Sequence, residues 1–166
     1  MTHNRHYRIQ EKYIAYHPIF IVSDDENKTA YILHYQHHKF GHQLVLMDSS
    51  GTVLMNIRHI VDRHQTYDIY VVDKNGHHNL LGVFRRIGRP WHHKFLVESV
   101  YGEHQIDRMG RLSHHKYEMM HDQQLIAKIN AKDDKSDDLV SIEIVADVDV
   151  MKDPFILALV MVQQTL

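Results

Sequence analysis

The densest grouping of chemically capable residues is Arg85-Arg86-Ile87-Gly88-Arg89-Pro90-Trp91-His92-His93-Lys94. It places four permanent cations and two histidines around the only tryptophan of the 166-residue chain. Arginine forks and free backbone amides bind phosphate oxygens, and a tryptophan ring suits a membrane interface or a stacked base. Arg85, Arg86, Arg89, Trp91 and Lys94 are therefore the candidate ligand-binding residues, and the ligand they suit is an anionic group. A plainer reading stands beside this one. The stretch is then a hairpin connector whose cations stay in water while Trp91 helps close one end of the fold. Arg108, Arg111 and Lys116 form a second, sparser candidate.

Histidine is the outlying residue type, with 17 copies. Eight of them fall in the pairs His37-His38, His77-His78, His92-His93 and His114-His115. Adjacent side chains on a strand point to opposite faces, so such a pair cannot grip one ion. Strand-based chelation needs His-x-His, which is absent from the sequence. No metal site is expected, and no cofactor. Signatures of catalysis are also absent: there is no Gly-x-Ser-x-Gly, no His-Glu-x-x-His, no Walker loop and no Gly-x-Gly-x-x-Gly. An enzyme would have to use an unrecognised carboxylate and histidine site, and the chain is expected not to be one. The histidines have a bulk effect whatever their use. They titrate near pH ~6.5 when unperturbed, so acidification swings a formal charge of −2 toward positive. Affinity for anionic surfaces is expected to rise with that swing. Histidines buried in strands behave oppositely and cost stability in acid; His34 and His121 are the candidates.

The elements that must hold these residues are hairpins. Phe20 to Asn27 leads into Thr29 to Leu33, Leu44 to Gly51 into Val53 to Ile57, and Tyr67 to Gly76 into Leu80 to Phe84. Each unit is an apolar strand, a turn opened by aspartate, and a second strand. Asp24, Asp48 and Asp73 read as turn formers, with Asn27, Gly51 and Gly76 supplying the positive φ. Weaker copies run through 95–106 and 117–129, and the repeat is about 24 residues long. Val140, Ile142, Ile144 and Ala146 alternate with mostly polar neighbours, as a half-buried strand does. Polar connectors are expected at 35–42 and 87–94, and a solvated acidic loop at Asp133-Asp134-Lys135-Ser136-Asp137-Asp138. The last stretch differs from all the others. Asp153 suits an N-cap, Pro154 suits a first turn, and every residue of 155–162 is apolar, so the helix has no polar face and must be surrounded. It is too short to span a bilayer, which takes roughly 20 residues.

The fold expected is mainly β (α+β): roughly twelve strands over about 7–147, in consecutive hairpins closed into an antiparallel barrel, with a buried C-terminal helix at about 153–165. A barrel that wide cannot be filled by its own side chains, so the helix fills it. One domain is expected over 1–166. The net charge gives no case for nucleic acid. With no cysteine and no signal-like start, the chain is expected in the cytoplasm.

Tyr7-Arg-Ile-Gln-Glu-Lys12, the aspartate hairpins, Ile126-Ala-Lys-Ile129 and Asp153-Pro-Phe-Ile-Leu-Ala-Leu159, taken in this order with an apolar helix last, resemble the LURP-one-related family, whose fold is that of the tubby C-terminal domain and the phospholipid scramblases. The resemblance implies a twelve-stranded barrel around a C-terminal helix. Tubby-like domains bind phosphoinositide headgroups and scramblases act on phospholipids. The chain lacks the scramblases' cysteine-rich segment and calcium loop and shows no match to the tubby lipid-binding cations, so no site residue is carried over. The function expected is a non-enzymatic binding module for an anionic lipid or membrane surface. The alternative is a structural or regulatory domain that meets a partner protein.

Overall fold

The structure is a computed structural model that describes residues 3–38, 41–63, 65–109, 116–131 and 138–165. Twelve strands follow one another: β1 (Arg5–Ile14), β2 (His17–Ser23), β3 (Thr29–His38), β4 (Gly41–Asp48), β5 (Val53–His59), β6 (Thr66–Val72), β7 (His78–Ile87), β8 (Lys94–Ser99), β9 (Gly102–Met109), β10 (Lys116–His121), β11 (Gln124–Ala131) and β12 (Asp138–Ile144). Each pairs antiparallel with its neighbours in sequence, and β1 pairs with β12 to close the barrel. Helix α1 (Asp153–Thr165) ends the described chain.

The aspartate hairpins form as their chemistry dictates. Asp48 Oδ1 accepts the amides of Ser50 and Thr52 at 3.0 and 2.9 Å, and the Gly51 amide donates to the Asp48 carbonyl at 3.1 Å. Asp73 accepts the amides of Asn75 and His77 in the same way, each at 2.9 Å. Asn27, Gly51 and Gly76 take φ of 60°, 89° and 79°. The hairpins β2–β3, β4–β5, β6–β7 and β10–β11 each carry a register shift shortly before the turn, at Val22/Ser23, Leu46/Met47, Ile69/Tyr70 and Met119/Met120. Such bulges increase local twist, which a closing sheet needs. The sequence repeat is thus a repeat of strand, bulge and turn.

Two local expectations are corrected. The connector expected at 35–42 is mostly strand: Tyr35 to His38 continue β3, and Gly41 and His42 open β4. Ladder bonds come from the backbone, so polar side chains do not end a strand. Here the Tyr35 hydroxyl and His42 Nδ1 meet at 2.8 Å, and their rings stack. Asp153 is also not the side-chain cap. The chain enters α1 through a 3-10 turn, Val150–Lys152, capped by Asp149, whose Oδ1 accepts the Met151 amide at 3.0 Å. The acidic loop residues 133–137 lie outside the described residues; Asp138 opens β12.

Inward positions alternate along each strand and are apolar: Ile9, Val22, Leu33, Leu44, Leu46, Ile57, Ile69, Phe84, Val97, Ile106, Met119, Ile129 and Ile142 are all buried. They close around α1, in which Asp153 and all residues of 155–163 are buried. The seven large apolar residues Phe155, Ile156, Leu157, Leu159, Val160, Met161 and Val162 contribute about 10–20 kcal/mol of burial before entropy is subtracted. Asp153, 0% exposed, is held by Arg5 at the start of β1: Arg5 Nε donates to Oδ2 at 2.8 Å and Nη2 to Oδ1 at 2.7 Å, with the Tyr7 hydroxyl donating to Oδ2 at 2.6 Å. The first strand and the last helix are therefore bolted together by a forked, charge-assisted contact.

Candidate functional site

Strand direction gives the barrel two distinct ends. Because β12 runs toward the end where β1 begins, α1 enters there and traverses about 20 Å toward the other end. The entry end carries the five hairpin turns that follow β2, β4, β6, β8 and β10. The exit end carries the connectors after the odd-numbered strands. Their charges differ. Asp24, Asp25, Glu26, Asp48, Asp73 and Asp122 sit in entry-end turns, against Lys28 and Lys74. Arg63, Arg89 and Lys94 lie in or beside exit-end connectors, with Arg86 and Arg108 on the strands below, against Asp62 in a connector and Glu11 and Asp107 on the strands; the β11–β12 connector at this end, 132–137, lies outside the described residues. The acidic entry-end turns complement the helix macrodipole, whose positive end lies where α1 enters.

The cluster at 85–94 sits on the exit rim, where β7 gives way to β8. After Gly88 in a left-handed conformation, φ 73°, a 3-10 turn at Pro90–His92 opens the connector; Arg89 is extended, as a residue before proline prefers. His93 takes φ 49° and returns the chain into β8. The five candidate residues spread across the rim. Arg85 faces outward and pairs with Glu98 at 3.0 Å. Arg86 is half-buried: Nη1 lies 3.4 Å from Gln65 Oε1, Nη2 lies 3.4 Å from His93 Nδ1, and its guanidinium stands over the Phe95 ring at 5.8 Å. Arg89 stacks on Trp91, 5.4 Å from the ring centroid, and Trp91 is 59% exposed. Lys94 is exposed and faces Asp107 across the ladder. Arg108 of the sparser candidate is drawn to the same mouth. Burial, then the charges of Arg108 and Arg86, hold His93 below the ordinary histidine pKa. Lys116 is exposed beside Met109, and Arg111 lies outside the described residues. The cations thus run from the inner mouth to the outer wall, with Glu98 paired to Arg85 and Asp107 opposite Lys94 at the outer side. A band of this kind suits a broad anionic surface better than one enclosed ligand.

Cavities lie elsewhere. A groove of about 550 Å³ crosses the outer wall of β1, β12, β11 and β10, where Arg8, Lys116 and Lys128 alternate with Glu118 and Glu143. A second space of about 290 Å³ lies at the entry end, between His104, His121, Phe155 and Lys152. Neither is lined by a residue of 85–94. His104 is 2% exposed and stacks on His121 with centroids 4.3 Å apart and planes 12° apart, its edge against Phe155. Burial and the neighbouring His121 charge pull its pKa down to about 4. Gly102 permits the stack, since a Cβ there would lie 2.8 Å from His121 Cε1. The buried histidine is therefore His104, while His34 and His121 are only partly buried. Its signal is the alternation His104, Ile106, Arg108 against Glu103, Gln105, Asp107. Among the described residues no group of three or more histidine or acidic side chains is placed to hold a metal ion. His77 and His92 stand apart, the first near Asp73 and the second edge-on to Trp91; His37 and His38 lie in β3, and His114-His115 lies outside the described residues. No described helix is long and apolar enough to cross a membrane.

A closed antiparallel barrel of twelve strands threaded by its C-terminal helix is a narrow architectural class. An X-ray structure of an Arabidopsis thaliana protein shares it, with a TM-score of 0.64 at 16% identity, over 98% of this chain and 91% of that one. The sequence profile of the LURP-one-related family matches residues 5–163, and the chain belongs to that family. Comparison with curated proteins gives no match.

Proposed function

We propose that this protein is a non-enzymatic binding module whose Arg–Trp rim, at the exit end, meets an anionic lipid headgroup or membrane surface. One observation carries the reading: the β7–β8 connector gathers Arg86, Arg89 and Lys94 around the exposed ring of Trp91 on one side of the exit rim. Guanidinium forks would take phosphate oxygens, and Trp91 would sit at headgroup depth. Arg85, Arg86, Arg89, Trp91 and Lys94 are the proposed contacts, joined by Arg108. The reading calls for no cofactor and no nucleic acid. Co-sedimentation with phosphatidylserine-containing and neutral vesicles tests it. Binding to the anionic vesicles alone is expected, weakened by salt and by Arg85→Glu with Arg89→Glu. A double variant that binds like wild type removes these residues from the site.

A second reading places a partner protein at the entry end. It is favoured by the exposed apolar side chains of Val100, Val150 and Met151, with Tyr101 packed against Phe155 beside them. A stoichiometric partner lost on Met151→Asp, with vesicle binding absent, would support it over the first.

A further inference from the structure

We propose that the entry end of the barrel holds a binding site for a small uncharged amphiphile, its apolar body against Phe155 and Ile156 and a hydroxyl head against His104. The site lies at the opposite end from the Arg–Trp rim and does not rest on the reading given to that rim. It arises where the chain leaves the barrel. β12 ends at Ile144, and one further bond, from the Val145 amide to the Ile126 carbonyl at 2.9 Å, closes its ladder with β11. Residues 145–149 then turn before the 3-10 turn that leads into α1. This detour leaves the space of about 290 Å³ between the ends of β9, β10 and β11, the connector and the first turn of α1. Its floor is made by buried side chains, Ile126, Phe155, Ile156 and His104, and its rim by the exposed Gln124, Asp147 and Asp149. A closed apolar cavity of about 150 Å³ takes up benzene. This space is larger and open at the rim, with room for a single ring or a short chain and its head.

The head is read from His104. It is 2% exposed, and burial keeps it neutral, with one N–H and one lone pair. Its polar contacts are sparse: the Gly102 backbone acts on the ring, and Nδ1 is buried with no hydrogen-bond partner among the described residues. His121 supplies none, because it lies flat on the ring and its own Nδ1 donates to the Glu103 carbonyl at 2.9 Å. A hydroxyl both donates and accepts, so it matches either tautomer of His104. A tilt of the ring against His121 brings Nδ1 to the head, a side-chain adjustment common on binding. The charges at the rim favour an uncharged head. The fixed charges of the lining are Asp147, Asp149 and Lys152, the last held over the Tyr101 ring at 5.3 Å. Asp122 stands beside His121 at 3.4 Å, the positive end of α1 faces the same space, and Arg5 is committed to Asp153. A cation gains from the aspartates and loses to Lys152 and the helix end; an anion does the reverse. Either must also leave water for an apolar floor. An uncharged head escapes both costs.

One ring with different side groups tests the site. Benzyl alcohol, toluene, benzylammonium and benzoate are titrated near neutral pH into isotope-labelled protein and followed by amide shifts. Benzyl alcohol is expected to saturate, shifting the amides of Ile126, Val145 and Ile156. It is expected to bind about tenfold more tightly than either ion and about fivefold more tightly than toluene. Leu125→Trp and Val148→Phe each fill the space from a different wall, and both are expected to abolish the shifts without lowering the melting temperature. His104→Phe keeps the aromatic wall and removes the partner of the head, so it is expected to erase the preference for the alcohol over toluene. Shifts that never saturate, or that survive in a folded filling variant, overturn the site. An ion that binds as well as the alcohol overturns the uncharged class of ligand. A preference for the alcohol that persists in His104→Phe overturns the role given to His104.

Discussion

Arg5 is the residue whose removal should be felt furthest from where it sits. Its guanidinium is the counter-ion of a fully buried carboxylate, so Arg5→Ala removes the ion-pair partner of Asp153 where the helix enters the barrel. A loss of about 3–5 kcal/mol is expected in urea unfolding, against about 1.5–3 kcal/mol for Tyr7→Phe, which removes one hydrogen bond to the same carboxylate. Equal small losses would mean that the latch is not formed in solution. His104 makes a pH prediction. An unfolded histidine takes a proton near pH ~6.5, but folded His104 does so only near about 4. Between those values the unfolded chain holds more protons, so stability contributed by neutral His104 is lost as pH falls through that window. The full loss is on the order of 3 kcal/mol. His104→Phe should flatten the slope of stability against pH from 6.5 to 4.5; an unchanged slope would place the acid sensitivity elsewhere. At the β1–β2 turn, Tyr16→Gly should raise stability slightly, by about 1 kcal/mol, because glycine accepts the left-handed conformation that Tyr16 takes there, φ 68°.

At the scale of elements, the terminal helix decides whether the barrel exists. Net stability of a domain is only about 5–15 kcal/mol, no more than α1 supplies by burial. Truncation before Asp153 should leave an insoluble or molten chain, and Leu159→Asp should do nearly the same, since Leu159 is fully buried. A soluble truncation with a cooperative melt would contradict the central-plug account. The helix was legible because eight consecutive apolar residues, 155–162, leave no face for water, and the hairpins because Asp48 and Asp73 with Gly51 and Gly76 have few other uses at that spacing. Other features depended on distance in space. Asp153 has the type of an N-cap, and only the closure of β1 against β12 brings Arg5 and Tyr7 to it. Tyr35 to His42 looked like a loop because strand pairing is written in the backbone, not in polarity. The depth of His104 was hidden by its neighbours, since inward alternation is plain in β9 but does not tell which inward residue lies under the helix. The cluster at 85–94 was visible as charge, whereas its division between mouth, rim and outer wall needed the strand directions.

Across the whole molecule, one contrast organises the functional account: acidic turns stand at the end where α1 enters, and the Arg–Trp connector stands on the rim of the other end. Bulk charge adds to this. With 17 histidines, net charge should turn from slightly negative to clearly positive between pH ~7.5 and ~5.5, visible as a reversal of electrophoretic mobility. Binding to anionic vesicles should strengthen over the same range; His93, whose pKa is lowered, should join late. Mobility that reverses while vesicle binding stays absent at both pH values would leave the histidines without a membrane role. Net charge and charge placement must still be told apart, and one comparison does so. Arg89→Glu with Lys94→Glu reverses the exit rim. Asp25→Lys with Glu26→Lys reverses part of the entry end by the same amount and spares Asp24, which holds the turn. Affinity for phosphatidylserine vesicles, measured for both variants at one salt concentration, tests the polarity directly. The account expects the exit-end variant to lose about tenfold or more and the entry-end variant to stay within about twofold of wild type. If affinity instead follows net charge, falling with the first variant and rising equally with the second, the anionic surface is not met by one end of the barrel, and the account is wrong.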